Sequence, residues 1–171
     1  MEDFVKWCDS NYLNLNVKRT KGMIVDFRKE QTEALPIVIK SENVERVSEY
    51  KYLGFVIDDK LTGTANTKLV YSKCIKRVHY LRILRNIKVD RKIITLLYKS
   101  VVESVLCFSL TLWYGALNLR DKSKLRKIIK TSCKLGADIT TLDELYKKFV
   151  LKQVKKIMKD NQHPLHGNYV F

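Results

Sequence analysis

Glycine and proline are scarce in this sequence, six and two residues in 171. With 46% hydrophobic and 10% aromatic residues, that scarcity argues against a disordered or low-complexity chain. Cysteine is limited to Cys8, Cys74, Cys107 and Cys133. They are far apart with no paired spacing, which excludes a zinc ribbon or a disulfide scaffold. Free thiols of this kind act as small hydrophobes and fit a reducing, intracellular setting, cytoplasm or nucleus. Histidine is rarer still: His79, His163 and His166. His163-Pro164-Leu165-His166 has no carboxylate or cysteine close by, so no metal site is expected. There is no glycine-rich phosphate loop and no Ser/His/Asp grouping, so no catalytic residue is assigned. Asp58-Asp59 sits at a strand end without a matching acidic strand before it, and reads as a solvated turn. Glu2, Asp3 and Lys6 interrupt any leader-like apolar run at the start. The uncharged stretch Val105–Leu119 is too short to span a bilayer and reads as a buried helix, so no membrane partner is expected.

What the sequence has in excess is positive charge. The formal net charge is +15, from 33 Lys and Arg against 18 Asp and Glu. Residues 1–60 hold 10 basic and 11 acidic residues, leaving 23 basic and 7 acidic for residues 61–171. Self-repulsion on that scale is most simply relieved by a polyanion, and a solvated basic surface is the plain alternative.

The hydrophobic pattern divides the chain in the same way. Residues 3–11 read as a short helix with Phe4 and Trp7 or Cys8 on one face. Strands are expected at Leu13–Val17, Met23–Phe27, Pro36–Ile39, Val44–Val47 and Tyr50–Ile57, with turns at Lys18–Gly22 and Ser41–Asn43. Beyond them the period becomes helical. Val70, Cys74, Val78, Leu81 and Leu84 form one stripe. A second helix is expected from Asp90 to about Tyr114, a third from about Asp121 to Gly136, and a fourth opened by the Thr141–Glu144 capping box. The expectation is an α+β chain: a helix-plus-strands unit over residues 1–62 and a basic helical domain over residues 63–171.

Three basic helical faces are candidates for gripping a phosphate backbone. Lys148, Lys152, Lys155 and Lys159 fall within about 60° of each other on the fourth helix, opposite Leu142, Tyr146, Val150, Val154 and Ile157. Lys127, Lys130 and Lys134 lie on the third. Lys73, Lys76, Arg77, Arg82 and Arg85 lie on the first, where Arg77 and Arg85 flank the apolar stripe and also suit snorkelling over the core. Trp7, Trp113 and Tyr114 are expected in the core rather than as base-stacking platforms.

Several segments resemble one family in order. Phe4, Trp7, Cys8, Asn11, Leu15, Asn16, Val17, Arg19, Thr20 and Lys21 resemble the stretch just after the catalytic aspartates of non-LTR (LINE-type) retrotransposon reverse transcriptases. Tyr52-Leu53-Gly54-Phe55-Val56-Ile57 resembles the primer-grip hairpin of those enzymes. Leu81-Arg82, Leu84-Arg85, Glu103-Ser104, Trp113-Tyr114-Gly115 and His163–His166 resemble their thumb region. The resemblance implies a palm edge plus a thumb that would hold a primer–template duplex of RNA, DNA or their hybrid. The missing palm and fingers, with their Mg, would do the phosphoryl transfer, and no cofactor is expected for this chain alone.

Within it, Arg19 and Lys21 fall in the segment resembling motif D. Arg19 stands where a lysine would act as general acid, and arginine holds its proton too tightly for that role. Gly22 also replaces a usual acidic residue. Gly54 would let the primer backbone approach closely, and it equally suits a strand bend. The first segment is also similar to the region labelled AlkB homologue eight N-terminal. A dioxygenase needs two histidines and a carboxylate on its iron, and the sequence has no His-x-Asp. A stand-alone, domesticated nucleic-acid-binding module is the remaining reading, with the same charge pattern.

Overall fold

Local polar chemistry decides where three of the helices begin. In a computed structural model of the chain, which describes residues 2–28 and 35–168, Asp90 accepts from the Lys92 amide at 2.6 Å and opens α3 (Arg91–Leu97). Asn118 accepts from the Asp121 amide at 2.8 Å and opens α6 (Leu119–Lys134). Thr141 and Glu144 form the reciprocal capping box expected at the start of α7 (Leu142–Lys159). Such caps satisfy amides that have no partner within the helix.

The architecture is α+β, and the chain divides between Leu61 and Thr62 into two units. The first begins with α1 (Glu2–Ser10). Its strands are short: β1 (Lys21–Gly22), β2 (Val38–Ile39), β3 (Glu42–Asn43), β4 (Glu45–Arg46), β5 (Glu49–Tyr52) and β6 (Phe55–Asp58). They pair two by two, β1 with β4 in parallel, and β2 with β3 and β5 with β6 antiparallel. Val17, Ile39 and Val44 form its buried cluster, with Val5, Leu15 and Ile37 packed against it.

Several strand expectations are corrected. Leu13–Val17 forms no strand. Asn16 bonds locally instead, capping a 3-10 turn at Val17–Arg19 by accepting from the Arg19 amide at 3.1 Å. Side-chain bonds of this kind compete with the ladder. Met23–Phe27 lies outside any strand, where Asp26 binds both the amide and the guanidinium of Arg28. The β2–β3 turn is Lys40–Ser41, with φ of 47° and 66°, one residue earlier than the sequence suggested. Tyr50–Ile57 is a hairpin, turning at Leu53–Gly54 with φ of 46° and 89°. Both central residues of such a two-residue turn need positive φ, which is why glycine suits the second. Asp58 is buried at the end of β6, not a solvated turn.

The second unit is helical. α2 (Thr64–Asn86) buries Val70, Cys74, Val78 and Leu81, the expected stripe, with Leu84 half-buried. The long second helix proves broken. α3 runs into a π-helical segment at Tyr98–Glu103, then α4 (Ser104–Cys107), and a break at Ser109 with φ 52° precedes α5 (Leu110–Trp113). The Trp113 indole bridges that break, donating to the Phe108 carbonyl at 3.1 Å. Phe108 and Leu112 are exposed, so this region is buried on one side only. Gly136, at φ 102°, follows the last turn of α6 as expected. No helix among the described residues is long and apolar enough to cross a membrane.

Candidate nucleic-acid interface

α2 and α6 are the central pair of the helical unit, and their first turns are tied by Asp121. This carboxylate is buried and accepts from Thr64 Oγ1 at 3.0 Å, Asn118 Nδ2 at 3.2 Å and Lys124 Nζ at 2.8 Å. Burial pushes its pKa up, but the bonds from Lys124, Thr64 and Asn118 together hold it below the ordinary value. Near the far ends of the same two helices a groove of about 420 Å³ opens. Ile75, Val78 and Ile128 form its apolar part, beside Tyr71. Arg82 stands on the α2 wall, and Lys127, Lys130 and Lys134 on the α6 wall, with no carboxylate in the lining. The structure therefore brings one expected basic face of α6 together with Arg82 of α2.

A second groove of about 680 Å³ lies between α3 and the end of α6 with the loop after it. Arg91, Lys92 and Lys99 line it, with Leu96, Cys133 and Asp138. Two hydrogen bonds pin its walls: Arg91 Nε to the Gly136 carbonyl at 3.5 Å and the Asp138 amide to Thr95 Oγ1 at 3.0 Å. Arg85, near the end of α2, also packs here, with Nη1 3.6 Å from where a β-carbon on Gly136 would stand. A third groove, about 290 Å³, runs between the α4–α5 break and α7 and holds Lys152 and Lys156.

The remaining expected residues are dispersed. Lys73 and Lys76 line none of these three grooves. Arg77 is engaged in the fold, donating from Nη1 to the Val101 carbonyl at 2.5 Å in the π-helical segment. Lys148, Lys155 and Lys159 are exposed on α7. Lys148, with Lys99, faces Glu103, whose carboxyl is pushed above its ordinary value by burial while the two lysines pull it back. In the first unit, Lys21 forms an ion pair with Glu45 and Arg19 is exposed at the end of the 3-10 turn. Gly54 is the turn residue of the β5–β6 hairpin. Sequence reasoning missed Arg91, Lys92 and Lys99, although the seven-residue spacing of Lys92 and Lys99 already places those two on one side of a helix.

Of the aromatic residues, Trp113 and Tyr114 are in the core, whereas Trp7 is exposed and stacks on Phe4 at 6.2 Å. Tyr114 donates to Asp143 at 2.9 Å, and Arg126 closes the other side of that carboxylate at 3.1 Å. Burial and this bond push the Tyr114 phenol up to about 12. His163 accepts from the Leu165 amide at 3.1 Å and His166 bonds the Ile157 carbonyl at 3.0 Å, so both rings fasten the turn after α7. Among the described residues no group of three or more His, Cys, Asp or Glu is placed to hold a metal ion.

A sequence profile of one family, alkylated DNA repair protein alkB homolog 8, N-terminal, matches residues 63–104. The likeness thus falls on α2, α3 and the π-helical segment, not on the first segment where the sequence suggested it. Those residues hold one histidine, His79, and two acids, Asp90 and Glu103. The shared part is a run of helices. No curated protein and no solved structure matches the chain significantly.

Proposed function

We propose that the helical unit grips nucleic acid through its phosphate backbone, without reading sequence. One observation carries this reading: Arg82, Lys127, Lys130 and Lys134 converge on a groove whose lining holds no acid. Cations brought together at a groove repel one another until an anion relieves them, and displaced counterions supply the driving force for binding. The order of the segments resembling a LINE-type reverse transcriptase supports a lineage for this grip. On that reading the chain is a palm-edge and thumb piece that would hold a primer–template, while aspartates and Mg in a partnering palm perform the chemistry. A stand-alone module with the same surface would bind the same way.

The similarity at residues 63–104 supports kinship with a repair-protein region at the level of helices only. One histidine and two acids in that stretch fall short of the two-histidine, one-carboxylate set of an iron dioxygenase.

A salt titration with a fluorescent oligonucleotide tests the grip. The four phosphate contacts of this groove predict that log K falls against log salt with a slope of at least about −2.8 for a single strand, or about −3.6 for a duplex. Affinity that stayed flat between low and moderate salt would end the proposal.

A further inference from the structure

We infer that the two grooves flanking the end of α6 form one track, and that it takes an unpaired strand rather than the duplex the family resemblance implies. The inference rests on the backbone-grip reading and specifies its substrate. Three observations join the grooves. Lys134 lines the α2–α6 groove, and its neighbour Cys133 lines the α3–α6 groove. Arg82 stands in the first groove, and Arg85, one turn further along α2, packs beside Gly136 in the second. Lys92 on α3 and Lys99 in the π-helical segment that continues it then extend the positive charge.

The shape selects the strand. A duplex presents its phosphates on a convex cylinder about twice as wide as the 8–10 Å that separates packed helices. It can rest across the rim, but it cannot bring an apolar floor into use. A single strand can lay its phosphates on the cationic walls and its bases on the floor. The floors offer such surface: Ile75, 48% exposed, beside Tyr71 in the first groove, and Leu96, 69% exposed, in the second. Asp138 is the one acid in either lining. It sits on the loop side of the second groove, so the charge along the path remains positive.

The test uses the full chain and two probes, an unstructured oligonucleotide of about 12 nucleotides and a blunt duplex of the same composition. At matched salt the strand should bind at least about 10-fold more tightly. Equal or tighter duplex binding would overturn the single-strand track while leaving the grip intact. No binding to either would remove the grip itself. Lys92→Gln with Lys99→Gln should reduce the salt slope for the strand by about 1.4, with the fold checked by circular dichroism. An unchanged slope would take the second groove out of the path.

The exposed thiol of Cys133 gives a reading that needs no substitution. Saturating strand should slow its alkylation by iodoacetamide, and an unchanged rate would overturn the joined track. Polyglutamate of equal charge should compete poorly because it has no bases for the floor. Equal competition would mean an acidic peptide surface instead.

Discussion

The two units of this chain solve the problem of holding a core in opposite ways. The first has a near-balanced charge and strands of two to four residues, and among its described residues the buried apolar side chains are small, Cys8, Val17, Ile39 and Val44. Phe27, Leu35 and Leu53 are 72%, 86% and 78% exposed there. The second carries a surplus of basic residues yet fully buries Trp113, Tyr98 and Tyr114 along with leucines from several helices. An aromatic side chain removed from water contributes about 4–6 kcal/mol gross, at about 25 cal/mol per Å². Like-charge repulsion on the helical surface can be tolerated because that core offsets it, and the described residues of the first unit hold no comparable reserve. The highly charged surface is thus found on the unit best able to carry it.

The largest expected effect follows from removing the helical unit's anchor. Trp113→Ala should cost about 3–5 kcal/mol. It leaves a void and strands the Phe108 carbonyl at the α4–α5 break. The sequence has two tryptophans, and they report separately, Trp7 from the first unit and buried Trp113 from the second. In urea the parent chain should show an intensity change from exposed Trp7, as it leaves its stack on Phe4, at lower denaturant than the red shift of buried Trp113. One shared midpoint for both would break the comparison by making the units a single cooperative body.

How far the sequence could be read also differs between the units. Helix starts were legible because they depend on a few neighbouring residues: Asp90 and the Thr141–Glu144 box act where they stand in the chain. The charge asymmetry and the α2 stripe were legible for the same reason. The break at Ser109 was not, because an apolar run has the same appearance whether it continues or kinks. Nothing local signals that Trp113 will satisfy the carbonyl freed at the kink. Strands in the first unit were over-read, since the Asn16 side chain takes a local bond in place of a ladder. The candidate site was legible as separate lysine faces, Lys127–Lys134 among them. Arg82 shares a groove with them only through the parallel packing of α2 and α6, which the Thr64–Asp121 bond pins at one end.

That bond gives the next effect. Asp121→Asn weakens three contacts at a buried site and should cost about 1–3 kcal/mol at neutral pH. Asp121 is held below its ordinary value of 3.8. Its stabilisation is therefore present above that pH and lost as the pH falls through and below it. The gap between variant and parent should close on acidification. Glu103 lies on the other side of the sign. Its pKa is raised, so its ionisation costs the fold stability at neutral pH, and that cost fades as acid protonates it. Urea midpoints at pH 7 and pH 3 measure both effects, and a gap for Asp121→Asn that widened in acid would contradict the assignment.

The smallest energetic change probes the weaker unit. Gly54→Ala places a β-carbon at φ 89° in the β5–β6 turn, a strain of about 1–2 kcal/mol. On the helical unit a change of that size would be absorbed. On a unit whose cluster is Val17, Ile39 and Val44, it is a large share of the stability available, and each 1.4 kcal/mol changes an open population tenfold. Amide exchange at the hairpin's paired residues, Glu49–Asp58 among them, should therefore accelerate about tenfold while amides of α2 and α6 keep their protection. Acceleration that spread into α2 would show that the first unit's stability is shared with the helices. The shallow core of residues 1–61 would then describe only part of what holds the hairpin.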